Sequence, residues 1–184
     1  WGIVPMRTRT EITVSLVLLA LVPTLALGDL GTTPQLLVNT GFEDGEGDVA
    51  AQWGLWPPAG KHEGVSSLRD SGVRHTGSYS GRLRVTNPAF DGICTWHHNA
   101  VPVQPGQCVV LKFWVRAENV VGNSGCDVQL RRGTQEHVGG AGTPPWKGTF
   151  DWRQVVHRVV IPQGVDHICV VPYLNGTGTV WFDD

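Results

Sequence analysis

Between Pro105 and Glu118 the chain reads PGQCVVLKFWVRAE, and this stretch leaves the fewest options for the fold. After the Pro-Gly turn, Val109, Leu111, Phe113 and Val115 fall on one side, while Val110, Lys112, Trp114 and Arg116 fall on the other. That is a period of two held for about four repeats, the signature of a strand. One face is fully apolar and the other mixes aromatics with cations. Such a strand belongs inside a sandwich, with the core on one side and water on the other.

The rest of the chain repeats the pattern in shorter pieces. Tyr79, Gly81, Leu83 and Val85 alternate against Ser80, Arg82 and Arg84. ICTWHH and AVPV within Asp91 to Val103, CDVQLRR from Cys126, WRQVVHRVVI from Trp152 and VDHICVVPYL from Val165 each read as strands, as do Trp53 to Trp56 and Gly178 to Asp184. QLLVNTGFE, Gln35 to Glu43, reads as a first strand and turn. Asn119 to Gly125 and Asn175-Gly176 read as turns, and Gly133 to Gly148 as a loop. No amphipathic helix of useful length is present. With 24 glycines and 12 prolines serving as punctuation, about eight or nine strands predict an all-β sandwich of jelly-roll type.

A chain of 184 residues holds one domain of ordinary size. Its formal charge of −2 gives neither a nucleic acid nor an anionic membrane any electrostatic support. Met6, the only methionine, precedes Arg7, Arg9 and a short apolar run that ends in Ala26-Leu27-Gly28. The run predicts a secretory signal peptide over 1–28, with translation starting at Met6 and the residues before it upstream read-through. A linker over 29–35 and a sandwich over 36–184 follow. Export places Cys94, Cys108, Cys126 and Cys169 where disulfides form, with three pairings open and free buried thiols the alternative.

A pyranose offers apolar C–H faces and a rim of hydroxyls, so a sugar site needs a flat aromatic and short polar or guanidinium partners. Trp96 in CTWHH, Trp146 in TPPWKG and Tyr173 on the outward side of its strand are the candidate platforms. Trp53 and Trp56 divide between core and site. Arg82, Arg84, Arg116, Gln129 and Arg131 stand on non-core faces and are the candidate polar partners, with a solvated, charge-paired sheet face as the alternative. His97 and His98 are adjacent on a strand, point to opposite faces and make a poor metal pair.

VNTGFEDG (Val38 to Gly45), SGVRHTGSYSGRL (Ser71 to Leu83), PVQPGQCVVLKFWVRAEN (Pro102 to Asn119), FDWRQV (Phe150 to Val155) and NGTGTVWFDD (Asn175 to Asp184) occur in this order. Together they resemble the carbohydrate-binding modules of families 4, 9 and 22. The resemblance implies a galactose-binding-like jelly roll that takes a polysaccharide of the β-glucan or xylan class. It also implies a catalytic glycoside hydrolase domain in the same secreted parent chain, with this module cut off in its last strand, and no membrane contact beyond the signal peptide. A structural calcium is implied too, held by Glu43 and Asp183, with Asp184 as alternate and main-chain carbonyls near Thr40 and the His75-Thr76 turn. Two rivals remain: an adhesion module, and a small hydrolase or lyase that would need paired acids such as Glu118 and Glu136.

Overall fold

The computed structural model describes residues 34–184, and every regular element in that range is a strand. The leader and most of the linker expected from the sequence lie outside the described residues. The strands are β1 (Gly45–Glu46), β2 (Val49–Ala50), β3 (Trp53–Trp56), β4 (Val65–Asp70), β5 (Ser80–Val85), β6 (Ile93–His98), β7 (Val101–Pro102), β8 (Cys108–Arg132), β9 (Glu136–Gly140), β10 (Trp146–Val160) and β11 (His167–Asp183). β1 and β2 form a small hairpin; the others are hydrogen-bonded into one antiparallel network.

Two long strands organise it. β8 and β11 pair from His167 opposite Arg131 to Asp183 opposite Trp114. The early half of β8 and the late half of β11 lie between β10 on one side and β5 and β4 on the other, forming the first layer. The late half of β8 and the early half of β11 lie between β9 and β6, with β3 beyond β6, forming the second. The layers face each other across the core. Leu111, Phe113 and Phe182 from the first line the same internal cavity of about 40 Å³ as Cys126, Val170 and Pro172 from the second.

The alternation predicted for Pro105 to Glu118 is present. Leu111, Phe113 and Val115 are buried and Ala117 continues the series, while Val110 and Lys112 are exposed. The expected turns at Asn119 to Gly125 and at Asn175-Gly176 are instead interior to continuous strands. Between Thr177 and Thr179 of β11, paired with Val121 and Glu118, β8 carries one residue more than its partner. The extra residue reverses which parity of β8 points outward. Asn119, Gly122 and Gly176 absorb the distortion at φ of 52°, 108° and 106°. A Cβ on Gly122 would meet the Asn175 carbonyl, and one on Gly176 the Val121 carbonyl, so only glycine lets the two backbones approach here.

Three other expectations change. Residues 35–43 form a loop rather than a first strand, held down by Asn39, whose amide reaches the carbonyls of Asp44 (2.9 Å) and Ala51 (2.8 Å). Buried Arg69 donates to the Phe42 carbonyl at 2.8 Å and fastens that loop to the first layer. The supposed loop after Gly133 contains β9, which pairs with the end of β8. The four cysteines are free thiols: Cys94, Cys126 and Cys169 are buried and Cys108 is exposed, so no disulfide forms.

Candidate functional site

The outer face of the second layer gathers outward side chains from β3, β6, β8 and β11, and these form the candidate cleft. Along β11, Ile168, Val170 and Leu174 point into the core, which turns Cys169, Val171 and Tyr173 outward. Cys169 and Val171 face outward yet are only 5% and 7% exposed. Larger neighbours on the same face cover them. From β8 these are Asp127, opposite Val171, then Gln129, opposite Cys169, and Arg131, opposite His167. β6 contributes Thr95, opposite Tyr173, and β3 brings Trp56 opposite Thr95. Trp56 is 61% exposed and stands at the rim.

Glycines shape this face. The Tyr173 ring lies over Gly125, where a Cβ would stand 2.8 Å from its ring atoms and hydroxyl. The His97 imidazole occupies the space a side chain at Gly54 would take, and Asp127 Oδ1 is 3.0 Å from the position of a Cβ on Gly140. Arg131 is held from two sides, donating to Gln129 Oε1 (2.6 Å) and to the Thr134 carbonyl (2.9 Å). Its Nε is buried without a hydrogen-bond partner among the described residues.

Partial burial sets the electrostatics. It pushes the Asp127 carboxyl above the usual aspartate range, a shift the His137 charge opposes. The Tyr173 hydroxyl is raised by burial and by Asp127, and the His97 imidazole is lowered by burial and by Arg131. The cleft therefore offers a neutral tyrosine, an imidazole held toward its neutral form, one guanidinium, one amide and one carboxyl group. That set donates and accepts hydrogen bonds to hydroxyls without a strong net charge.

Of the residues predicted for sugar binding, Tyr173, Gln129 and Arg131 come together here. Trp96 does not: it is 0% exposed, edge-on to Phe42 at 5.4 Å, with its indole N–H on the Arg82 carbonyl. The phase of β6 places Trp96 inward with Cys94 and His98, and Thr95 and His97 outward. Trp146 is partly buried at the core edge, near Phe113 (6.1 Å) and Phe182 (6.4 Å), and lies away from Tyr173. Arg82, Arg84 and Arg116 are on the outer face of the first layer, the opposite side of the sandwich. Trp53 is core, stacked on Phe42 at 4.8 Å. His97 and Asp127 are residues of this face that the sequence did not single out as partners, and Trp56, which it divided between core and site, stands here too; Gly54, opposite His97, and Gly140, packed against Asp127, are the signal they left. Glu118 lies midway along β8 on the first layer and Glu136 opens β9 beside the second; they pair with Arg116 (2.8 Å) and Arg132 (3.0 Å), so they are not two acids across one cleft.

The residues expected to hold calcium fit in part. The point beside Gly41 where a Cβ would sit is 3.6 Å from Asp183 Oδ1 and 3.8 Å from Glu43 Oε1, so two carboxylates converge there. Thr40 lines a cavity with Asp183 and Asp184. Thr76 departs from the expectation: His75 and Thr76 turn their N–H groups, not carbonyls, to Asp183 Oδ2 at 2.7 and 3.1 Å. Asp183 is 1% exposed with no cationic side chain bound to it, and burial raises its pKa to about 6 against the opposing N–H groups.

This architecture defines an all-β sandwich of the jelly-roll type. Neither a family model nor a curated protein matches the sequence. Solved structures do match. A family 16 carbohydrate-binding module superposes with a TM-score of 0.59 at 14% identity, over 82% of this chain and 96% of that one. A family 4 module gives 0.51 at 16% identity, over 79% and 94%. A cyclase from Fischerella sp. TAU, solved with an indolyl butanone, gives 0.52 at 14% identity, over 80% and 92%. At these identities the likeness establishes the fold.

Proposed function

We propose that this chain is a non-catalytic glycan-binding module, exported as part of a longer secreted protein and serving a glycoside hydrolase domain in that parent. The observation that carries the proposal is the Tyr173 ring laid over Gly125 on an open sheet face, ringed by hydrogen-bonding groups of low net charge. A sugar ring stacks on Tyr173, and Trp56 extends the platform two strands away, about 10 Å at ordinary strand spacing. Gln129, Arg131, Asp127 and His97 bond the hydroxyls. A row of groups crossing four strands suits a polymer of the β-glucan or xylan class.

A calcium ion between Glu43 and Asp183, completed by main-chain oxygens near Thr40, would neutralise the buried Asp183 and join the start of the sandwich to its last strand. It is a structural role remote from sugar. A catalytic role is the rival, because a cyclase shares this fold and Asp127 is a carboxyl that partial burial holds above the usual aspartate range. Calorimetry and affinity gel electrophoresis against xylan, mixed-linkage β-glucan, β-mannan and β-galactan, with product analysis on the same mixtures, separate the two. Binding without turnover is the expected result; no binding to any polymer would refute the proposal, and turnover lost on Asp127→Asn would install the rival.

A further inference from the structure

The first layer has a second concavity on its outer face, independent of the cleft. It is a groove of about 430 Å³ between β5, β11 and the early half of β8. Register places two rows of side chains across those strands. Arg82 and Arg116 flank Trp181, and Arg84 and Glu118 flank Thr179.

Trp181 is 5% exposed and cannot serve as a stacking platform. It is held by its indole N–H on Asp70 Oδ2 (2.9 Å), with the Arg116 guanidinium 5.5 Å from its ring centre. The charges around it are unequally matched. Arg116 is paired with Glu118 at 2.8 Å, and Arg82 Nη1 with Asp70 at 3.2 Å. Arg84 is exposed and has no carboxylate within 4.0 Å among the described residues. Arg82 Nε is buried and has no hydrogen-bond partner among them. The groove thus holds one free guanidinium, that of Arg84, with the partly paired Arg82 next to it, beside a carboxylate and the Asn119 amide.

A dense polyanion would meet Glu118 and Asp70. A neutral sugar would leave Arg84 unmatched. A sugar ring with a single carboxylate and several hydroxyls matches both signs. The backbones of Arg84 and Glu118 are two strand spacings apart, about 10 Å, a width on the scale of one sugar ring rather than a chain.

We infer that this groove is a second saccharide site, which takes one uronate residue with its carboxylate on Arg84 and Arg82 and its hydroxyls on Glu118 and Asn119. The two faces then divide the work, a neutral polymer on the second layer and a single acidic sugar on the first.

Free D-glucuronate, D-glucose and inorganic sulfate, each titrated into ¹⁵N-labelled full chain while the Trp181 indole and Arg82 Nε resonances are followed, test it. Glucuronate is expected to shift both resonances saturably, with glucose and sulfate at least tenfold weaker. Arg84→Gln should weaken glucuronate about ten- to hundredfold, the size of one charge-assisted hydrogen bond. Arg84 is exposed, so an unchanged melting temperature certifies the fold of that variant. Tyr173→Ala should leave glucuronate binding intact, which keeps the groove distinguishable from the cleft. Glucose as good as glucuronate, sulfate as good as glucuronate, or an Arg84→Gln protein that binds like the wild type would each overturn the inference.

Discussion

Substituting Gly125 by alanine tests the cleft without replacing any group proposed to contact sugar. The new Cβ would stand 2.8 Å from atoms of the Tyr173 ring, against the 3.5–4.0 Å of an ordinary carbon contact. The ring must therefore shift by about 1 Å. It can do so, because Tyr173 is only partly buried and faces an open surface. Gly125 lies outside the left-handed region, so alanine there fits the backbone and restricts the unfolded chain, worth about 0.4–1 kcal/mol in favour of folding. Displacing the ring costs about 0.5–1.5 kcal/mol, so net stability should change by less than about 1 kcal/mol. Binding should suffer instead. Losing the stacking geometry removes about 0.5–1.5 kcal/mol, a two- to tenfold loss of affinity. Tyr173→Ala, which removes the platform, should cost about 2 kcal/mol or more, roughly thirtyfold. Calorimetry with an oligosaccharide of the preferred polymer reads the affinities, and urea unfolding reads the stabilities. Folded Gly125→Ala and Tyr173→Ala proteins that both bind like the wild type would remove Tyr173 from the site and the cleft with it.

Gly176→Ala, which drives a Cβ toward the Val121 carbonyl at a φ of 106°, should destabilise by about 1–3 kcal/mol in urea unfolding; an unchanged midpoint would mean that β8 and β11 do not pair continuously there. Asp127 binds its proton more tightly folded than unfolded, so its contribution to stability is full below the ordinary aspartate pKa and is lost as pH rises through the raised value. The wild-type midpoint measured relative to Asp127→Asn should accordingly fall across that window, and a rise would contradict the burial of this carboxyl. If calcium sits between Glu43 and Asp183, EGTA should lower the melting temperature by about 5–10 °C, the effect of a ligand at a hundred times its Kd on a domain of this size. Glu43→Gln should melt at the lower temperature with or without the ion, and a wild-type melt indifferent to EGTA would remove calcium from the account.

The parts of this molecule that were legible in the sequence are those that one strand decides alone. Leu111, Phe113 and Val115 announce the core by their spacing, and Gln129, Arg131 and Tyr173 stand outward because Val128, Leu130 and Leu174 beside them are apolar. Trp96 shows where that logic stops. In CTWHH, Cys94 and Trp96 share one face and Thr95 and His97 the other, both faces can be buried, and only the partner strands β3 and β11 decide between them. Composition was equally ambiguous at Asn119 to Gly125 and at Asn175-Gly176, because residues that accept positive φ serve a hairpin turn and a strand bulge alike. That ambiguity hid the feature on which the arrangement of sites depends. With a turn at Gly122, Arg116 and Arg131 belong to separate short strands and could line one face. With a bulge, they lie on one strand whose outward parity reverses between Glu118 and Val121, so Arg116 and Glu118 serve the first layer while Asp127, Gln129 and Arg131 serve the second. One extra residue in β8 thus places two sets of polar side chains on opposite faces of the sandwich, and that separation is what would allow a single short domain to present the two proposed sites.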